Sequence, residues 1–132
     1  MVWVAAARLR TLPLSVAGVV VGNALAIGND AFCPYVFGGT LLTAVVFQIL
    51  SNFANDYGDG LKGTDNHERI GPKRVLQQNL LSAKTLFRGI VSTAVIGFLL
   101  AAGTIGIAFE VGELKSVLAF LALAVVAILA AY

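Results

Sequence analysis

Long apolar runs separated by short polar breaks divide the 132 residues into four candidate spans. They run from Leu12 to Ile27, Tyr35 to Asn55, Thr85 to Phe109 and Leu114 to Tyr132. A helix that crosses a bilayer needs about 20 apolar residues, with a range of roughly 17 to 25. The second and third runs meet that length, the first is short, and the fourth reaches the last residue. The pattern predicts an all-α fold, a multi-pass transmembrane helical bundle of about four spanning helices. A polar loop from Asp56 to Lys84 separates the second from the third. The first run follows Arg8 and Arg10 and so has the outline of a signal peptide. No small-residue cleavage site follows it, because Gly28-Asn29-Asp30 leads at once into another apolar run, so a spanning helix is the better reading.

Composition agrees with a membrane chain. Hydrophobic residues make up 58% and charged residues 12%, where a soluble domain carries about 25% charged residues. The lipid bilayer is thus the expected surroundings, and a net charge of +2 gives no reason to expect a nucleic-acid partner. Cys33 is the one cysteine, so no intrachain disulfide can form, and between Phe32 and Pro34 it reads as a small packing residue. The positions of the charges say more than their sum. If all four runs span, Arg8, Arg10, Lys62, Arg69, Lys73, Arg74, Lys84 and Arg88 share one side, eight of the nine basic residues. The positive-inside rule makes that side cytoplasmic. The expected location is therefore the inner (cytoplasmic) membrane, with the N-terminus and the 56–84 loop inside. Trp3 and Tyr35 lie near span ends, where interfacial aromatic residues anchor helices.

The second run ends in polar residues that a spanning helix does not need. Gln48, Asn52, Asn55 and Asp59 recur at helical spacing, within an arc of about 60°, and Asp56 falls about 60° to the side of its centre. Polar groups at membrane depth face a bundle interior or a wet cavity. The bland reading is interhelical hydrogen bonding and a solvated helix end, and it suits Gln48 and Asn52 better than Asp56 and Asp59. Carboxylates at a helix C-terminus oppose the macrodipole at a cost of about 0.3–1 kcal/mol each. A bound cation reverses that sign, and magnesium takes carboxylate oxygens together with substrate phosphates. The pattern reads as half of a metal–diphosphate clamp. Gly58, Gly60 and Gly63 are expected to stop the helix and admit a ligand close to the backbone. They are not a phosphate-binding P-loop, since no Gly-Lys-Ser/Thr ending is present. Beyond them Lys62, Arg69, Lys73 and Arg74 are candidates for phosphate oxygens, Lys62 and Arg74 foremost, with anionic lipid the competing partner. His67 has no second ligand at metal spacing and reads as a solvated loop residue.

These residues resemble the UbiA-type membrane prenyltransferases, and most of all the branch that acts on 1,4-dihydroxy-2-naphthoate in menaquinone synthesis. The resembling blocks are RLRTLPLSVAGVVVG (Arg8 to Gly22), QILSNFANDYGDGLKGTD (Gln48 to Asp65) and RIGPKRVLQ (Arg69 to Gln77), of which the middle one is specific. The general pattern Asn-Asp-x-x-Asp-x-x-x-Asp is met by Asn55, Asp56 and Asp59, but Gly63 takes its last position and the acid comes two later, at Asp65. The variant Lys62-Gly63-Thr64-Asp65 is what points to the naphthoate branch. At Leu9 the sequence also departs from the Arg-Pro-Lys-Thr that often begins the family's first helix.

The resemblance implies transfer of a polyprenyl group from polyprenyl diphosphate to 1,4-dihydroxy-2-naphthoate, giving demethylmenaquinone, with Mg2+ as cofactor. It implies Asn55 and Asp59 as catalytic residues, Asp56, Asp59 and Asp65 as metal ligands, and Gln48, Asn52, Lys62, Arg69, Lys73 and Arg74 around the diphosphate. It also implies about nine helices and a second Asp-rich loop, so the chain is expected to be the N-terminal part of a bundle whose C-terminal half is its partner. Relatives acting on hydroxybenzoate, homogentisate or haem are the alternatives within the class. A transporter with the stripe lining an ion path would need a second polar stripe, and the third run offers only Ser92, Thr93 and Thr104. A non-catalytic membrane fragment is the third reading. Gly18, Gly22, Gly38, Gly39, Gly103 and Gly106 are expected to let helices pack closely.

Overall fold

The structure, a computed structural model, describes residues 2–62 and 74–108. The described residues form four α-helices: α1 (Val2–Ala7), α2 (Leu12–Gly28), α3 (Pro34–Lys62) and α4 (Ala83–Ala108), with a 3-10 turn at Leu9–Thr11 between the first two. Among the described residues, three stretches are long and apolar enough to cross a membrane: Val2–Gly28, Pro34–Lys62 and Ala83–Ala108. The chain is an all-α membrane helical bundle. The expected span at 114–132 lies outside the described residues.

The break between α1 and α2 follows from Pro13. A proline ring clashes with the carbonyl four residues back and supplies no N–H, so it is accepted only in a helix's first turn. Pro13 stands there in α2, and the chain upstream must leave the helical path. It does so at Arg8, which adopts a left-handed conformation with φ 49°. Thr11 N–H then bonds the Arg8 carbonyl at 2.8 Å, the reverse turn that leads into α2.

Helix α3 is the centre of the packing and contacts α1, α2 and α4. Its pairing with α4 is antiparallel in one register: Tyr57 meets Phe87 with ring centroids 5.6 Å apart, Phe47 lies over Gly97 and Thr104 over Gly39. At the same end Trp3 of α1 packs against Phe53, ring centroids 5.5 Å apart and planes tilted by 59°, and covers Gly89. The buried apolar core is small, Ala6, Ala7, Phe53, Val75 and Leu86, and it gathers at the end where the basic residues lie. Of the six glycines expected at close contacts, Gly39 is at one among the described residues, whereas an added Cβ at Gly18, Gly22, Gly38, Gly103 or Gly106 meets none of their atoms within 4 Å.

Two left-handed residues close the turns. At the end of α2, Asp30 (φ 55°) sends its N–H to the Ile27 carbonyl while Ala31 N–H reaches that of Ala26, the Schellman pattern. The 74–82 segment repeats it: Asn79 (φ 54°) bonds the Leu76 carbonyl and Leu80 that of Val75. Ser82 then caps α4, its hydroxyl accepting Thr85 N–H at 3.2 Å.

Gly58 and Gly60 do not stop the helix. α3 runs through both to Lys62, so residues 56–62 of the expected loop are helical. A glycine inside a helix costs only about 1 kcal/mol relative to alanine, less than packing against neighbours returns. Gly60 serves that packing, because Leu76 occupies the space a side chain there would take.

Candidate active site

One end of the bundle collects Arg8 and Thr11, the last two turns of α3, and the 74–82 segment. The polar stripe of α3 divides there into two faces with different roles.

The first face is buried. Asn52 is 4% exposed and Asp56 is 1% exposed. The break at Arg8 takes the Thr11 N–H away from the Ala7 carbonyl, its partner in a continuous helix. Asn52 supplies the replacement, donating from Nδ2 to Ala7 O at 2.7 Å and to Thr11 Oγ1 at 2.9 Å. One turn later Asp56 lies between two segments, with Oδ1 4.0 Å from Arg8 Nη2 and Oδ2 accepting the Val75 N–H at 3.3 Å. Neither residue faces the open end.

The second face is open. Asn55 is exposed, and the Asp59 side chain is 37% exposed. The guanidinium of Arg74 spans the two: Nη1 donates to the Asn55 carbonyl at 2.6 Å and forms an ion pair with the Asp59 carboxylate. Gln48 is half-buried further along α3, and Lys62 is exposed at its last position. The structure thus brings the Asn55 main-chain carbonyl and the Asp59 and Arg74 side chains together, while Asn52 and Asp56 are buried. Asp65, His67, Arg69 and Lys73 lie outside the described residues.

Sequence reasoning missed Arg8, Thr11 and the Ala7 carbonyl as partners of the stripe. Pro13 carried the signal, since a proline so placed predicts a helix break about four residues upstream and a backbone carbonyl in need of a donor.

The chain has sequence relatives. The chain is 43% identical over 134 residues to the 1,4-dihydroxy-2-naphthoate octaprenyltransferase of Haemophilus influenzae, covering 98% of this chain and 42% of that relative. The proteins of the same name from Escherichia coli (44% over 94 residues, 71% of this chain and 30% of the relative) and Mycobacterium tuberculosis (36% over 97 residues, 74% and 33%) match as well. The chain belongs to this prenyltransferase family. It aligns with the N-terminal part of the family's members and spans less than half the length of the curated relatives named here. No protein-family model matches it, and no solved structure does.

The donor set bears on whether a prenyltransferase's metal belongs here. Among the described residues no three His, Cys, Asp or Glu side chains converge, so these residues build no all-protein cage. Magnesium does not require one: it is held by one or two carboxylates plus substrate phosphates and keeps several waters. Asp59, partly exposed beside Asn55 and a guanidinium, fits that mode. Asp56 is enclosed, with Arg8 and the Val75 N–H beside its carboxylate.

Proposed function

We propose that this chain forms the diphosphate-binding part of an enzyme that transfers a polyprenyl group from polyprenyl diphosphate to 1,4-dihydroxy-2-naphthoate, giving demethylmenaquinol, the hydroquinone form of demethylmenaquinone. The observation that carries the reading is Arg74 held against Asp59 and the Asn55 carbonyl at the open, basic end of a membrane bundle. The names of the family's members support the substrates.

Arg74 is the group that changes partner. A guanidinium matches phosphate oxygens as well as carboxylate, so an arriving diphosphate takes the donors that Asp59 now holds. Lys62, Arg69 and Lys73 add positive charge from the adjoining chain. The Asp59 carboxylate, with Asn55 and Asp65, would hold Mg2+ once Arg74 has turned to the diphosphate. Bound magnesium supplies Lewis-acid neutralisation of charge on the leaving diphosphate. Arg74 and Lys62 contribute preorganised charge to the same end. The allylic C–O bond breaks with its electron pair leaving on the diphosphate. The ring carbon that bears the carboxylate attacks the allylic cation, and the carboxylate leaves that carbon as carbon dioxide, its bonding pair restoring the aromatic ring. The isoprenoid tail stays among the apolar helices or in the bilayer, and the basic end faces the cytoplasm.

The test is magnesium-dependent transfer by the intact protein with Asp59→Asn, which keeps the size and removes the charge. Transfer is expected to fall by at least about tenfold, the scale of one charge-assisted contact. Unchanged transfer would sink the assignment of Asp59.

A further inference from the structure

Asp56 is the most deeply buried charged residue among those described, 1% exposed. A carboxylate in such a place destabilises the fold unless donors surround it. Its surroundings come from two segments far apart in sequence: Arg8, 4.0 Å away at the left-handed break, and the Val75 main-chain N–H at 3.3 Å. Val75 is itself buried, 4% exposed, and it directly follows Arg74. The two neighbours straddle α3: the Val75 N–H points to Asp56 on the enclosed face, while the Arg74 guanidinium reaches round to Asn55 and Asp59 on the open face. Leu76, seated over Gly60, holds the next residue down. The last turns of α3 are thus gripped by three consecutive residues, and only one of those grips is a charged contact from behind.

We propose that Asp56 is a positioning residue for diphosphate binding: by holding the Val75 main chain from the enclosed side, with Arg8 as its counter-charge, it sets the guanidinium of Arg74 on the open side. The proposal rests on the reading of the Asn55–Asp59–Arg74 face as the diphosphate site, and it separates Asp56 from the metal-holding role that its place in the motif implies. Asp56 touches no substrate and acts through Arg74. The Asn52 contacts with Ala7 and Thr11 keep the Arg8 turn in place one helical turn away, so the counter-charge arrives with the N-terminal segment already docked.

The experiment uses the intact protein in lipid nanodiscs. It measures binding of a short-chain polyprenyl diphosphate, KM and kcat for transfer, apparent magnesium affinity, and hydrogen exchange of the 74–82 segment. Asp56→Asn is expected to weaken diphosphate binding and raise its KM by roughly tenfold, as loss of a charge-assisted contact does. kcat and magnesium affinity should change little. Exchange should quicken in 74–82 and stay slow in the middle of α3. With Arg74→Gln already present, Asp56→Asn should add almost nothing, because residues acting through one contact are not additive. Replacing Val75 by its α-hydroxy acid deletes the N–H, keeps every side chain, and should reproduce the KM effect, with replacement of Gln78 by its α-hydroxy acid as the control for the weakened Arg74 carbonyl that accepts the Gln78 N–H; this holds the test open if Asp56→Asn fails to fold. A wild type that binds no diphosphate sinks the reading on which the proposal rests. A wild type that binds, with Asp56→Asn equal to it, sinks the proposal alone. An Asp56→Asn effect that falls on magnesium affinity and multiplies with that of Arg74→Gln would make Asp56 a metal ligand and overturn it too.

Discussion

Asn52 and Ala7, 45 positions apart, are joined by a hydrogen bond of 2.7 Å from a side-chain amide to a backbone carbonyl. The bond exists because Pro13 and the left-handed Arg8 interrupt the N-terminal helix and leave that carbonyl in need of a donor. Asn52→Ala removes the donor and abandons a buried acceptor, which costs about 1–3 kcal/mol. The expected outcome is a lower unfolding midpoint, together with faster hydrogen exchange in residues 2–11 and unchanged exchange in α4. A variant with wild-type exchange at the N-terminus would show that Asn52 does not hold it.

Adjacent glycines in α3 should respond in opposite directions. A Cβ on Gly39 overlaps Thr104, whose Cγ2 would lie 2.9 Å and Cβ 3.1 Å away, whereas a Cβ on Gly38 meets nothing within 4 Å among the described residues. Thr104 cannot easily turn aside, since it is buried and its hydroxyl donates to the Leu100 carbonyl at 2.8 Å. Gly39→Ala is therefore expected to destabilise the α3–α4 pair by about 1–3 kcal/mol, and Gly38→Ala to stabilise α3 by about 0.5–1 kcal/mol through lost backbone entropy. Unfolding midpoints of the two variants, measured side by side, check the pair.

Much of the fold was legible because hydrophobic length is a blunt and reliable signal. The expected runs at 12–27, 35–55 and 85–109 each fall on a helix, α2 at Leu12–Gly28, α3 at Pro34–Lys62 and α4 at Ala83–Ala108. The end of α3 was not legible, because glycine counts locally as a breaker while Leu76 packing on Gly60 is a contact between distant segments. The stripe itself was visible from spacing, and its division was not. Asn52 with Asp56, and Asn55 with Asp59, are both four-residue pairs on neighbouring arcs of one helix. Which pair is covered depends on where the N-terminal turn docks. Spacing set Asp56 to the side of the stripe, yet its carboxylate is among the most enclosed groups described. The close-packed glycines followed the same rule: Gly60, Gly89 and Gly97 meet Leu76, Trp3 and Phe47, partners that no local pattern reveals.

Sidedness is open to labelling. Cys33 lies between α2 and α3 at the end away from Arg8, Arg74 and Lys84. With the basic end cytoplasmic, a membrane-impermeant thiol reagent should label Cys33 in intact cells. In a Cys33→Ser background, Lys84→Cys, at the exposed start of α4, should be labelled only after the membrane is permeabilised. The reverse pattern would invert the topology.

The central claim is that the face built from Asn55, Asp59 and Arg74 receives the diphosphate. Its most direct test is equilibrium binding of a polyprenyl diphosphate, with magnesium present, to the intact protein and to Arg74→Gln. Loss of a charged donor to phosphate is worth about 1.5–3 kcal/mol, so Arg74→Gln should bind at least about tenfold more weakly. The two proteins should take up the free aromatic acceptor alike. Equal diphosphate affinity in the two would contradict the account.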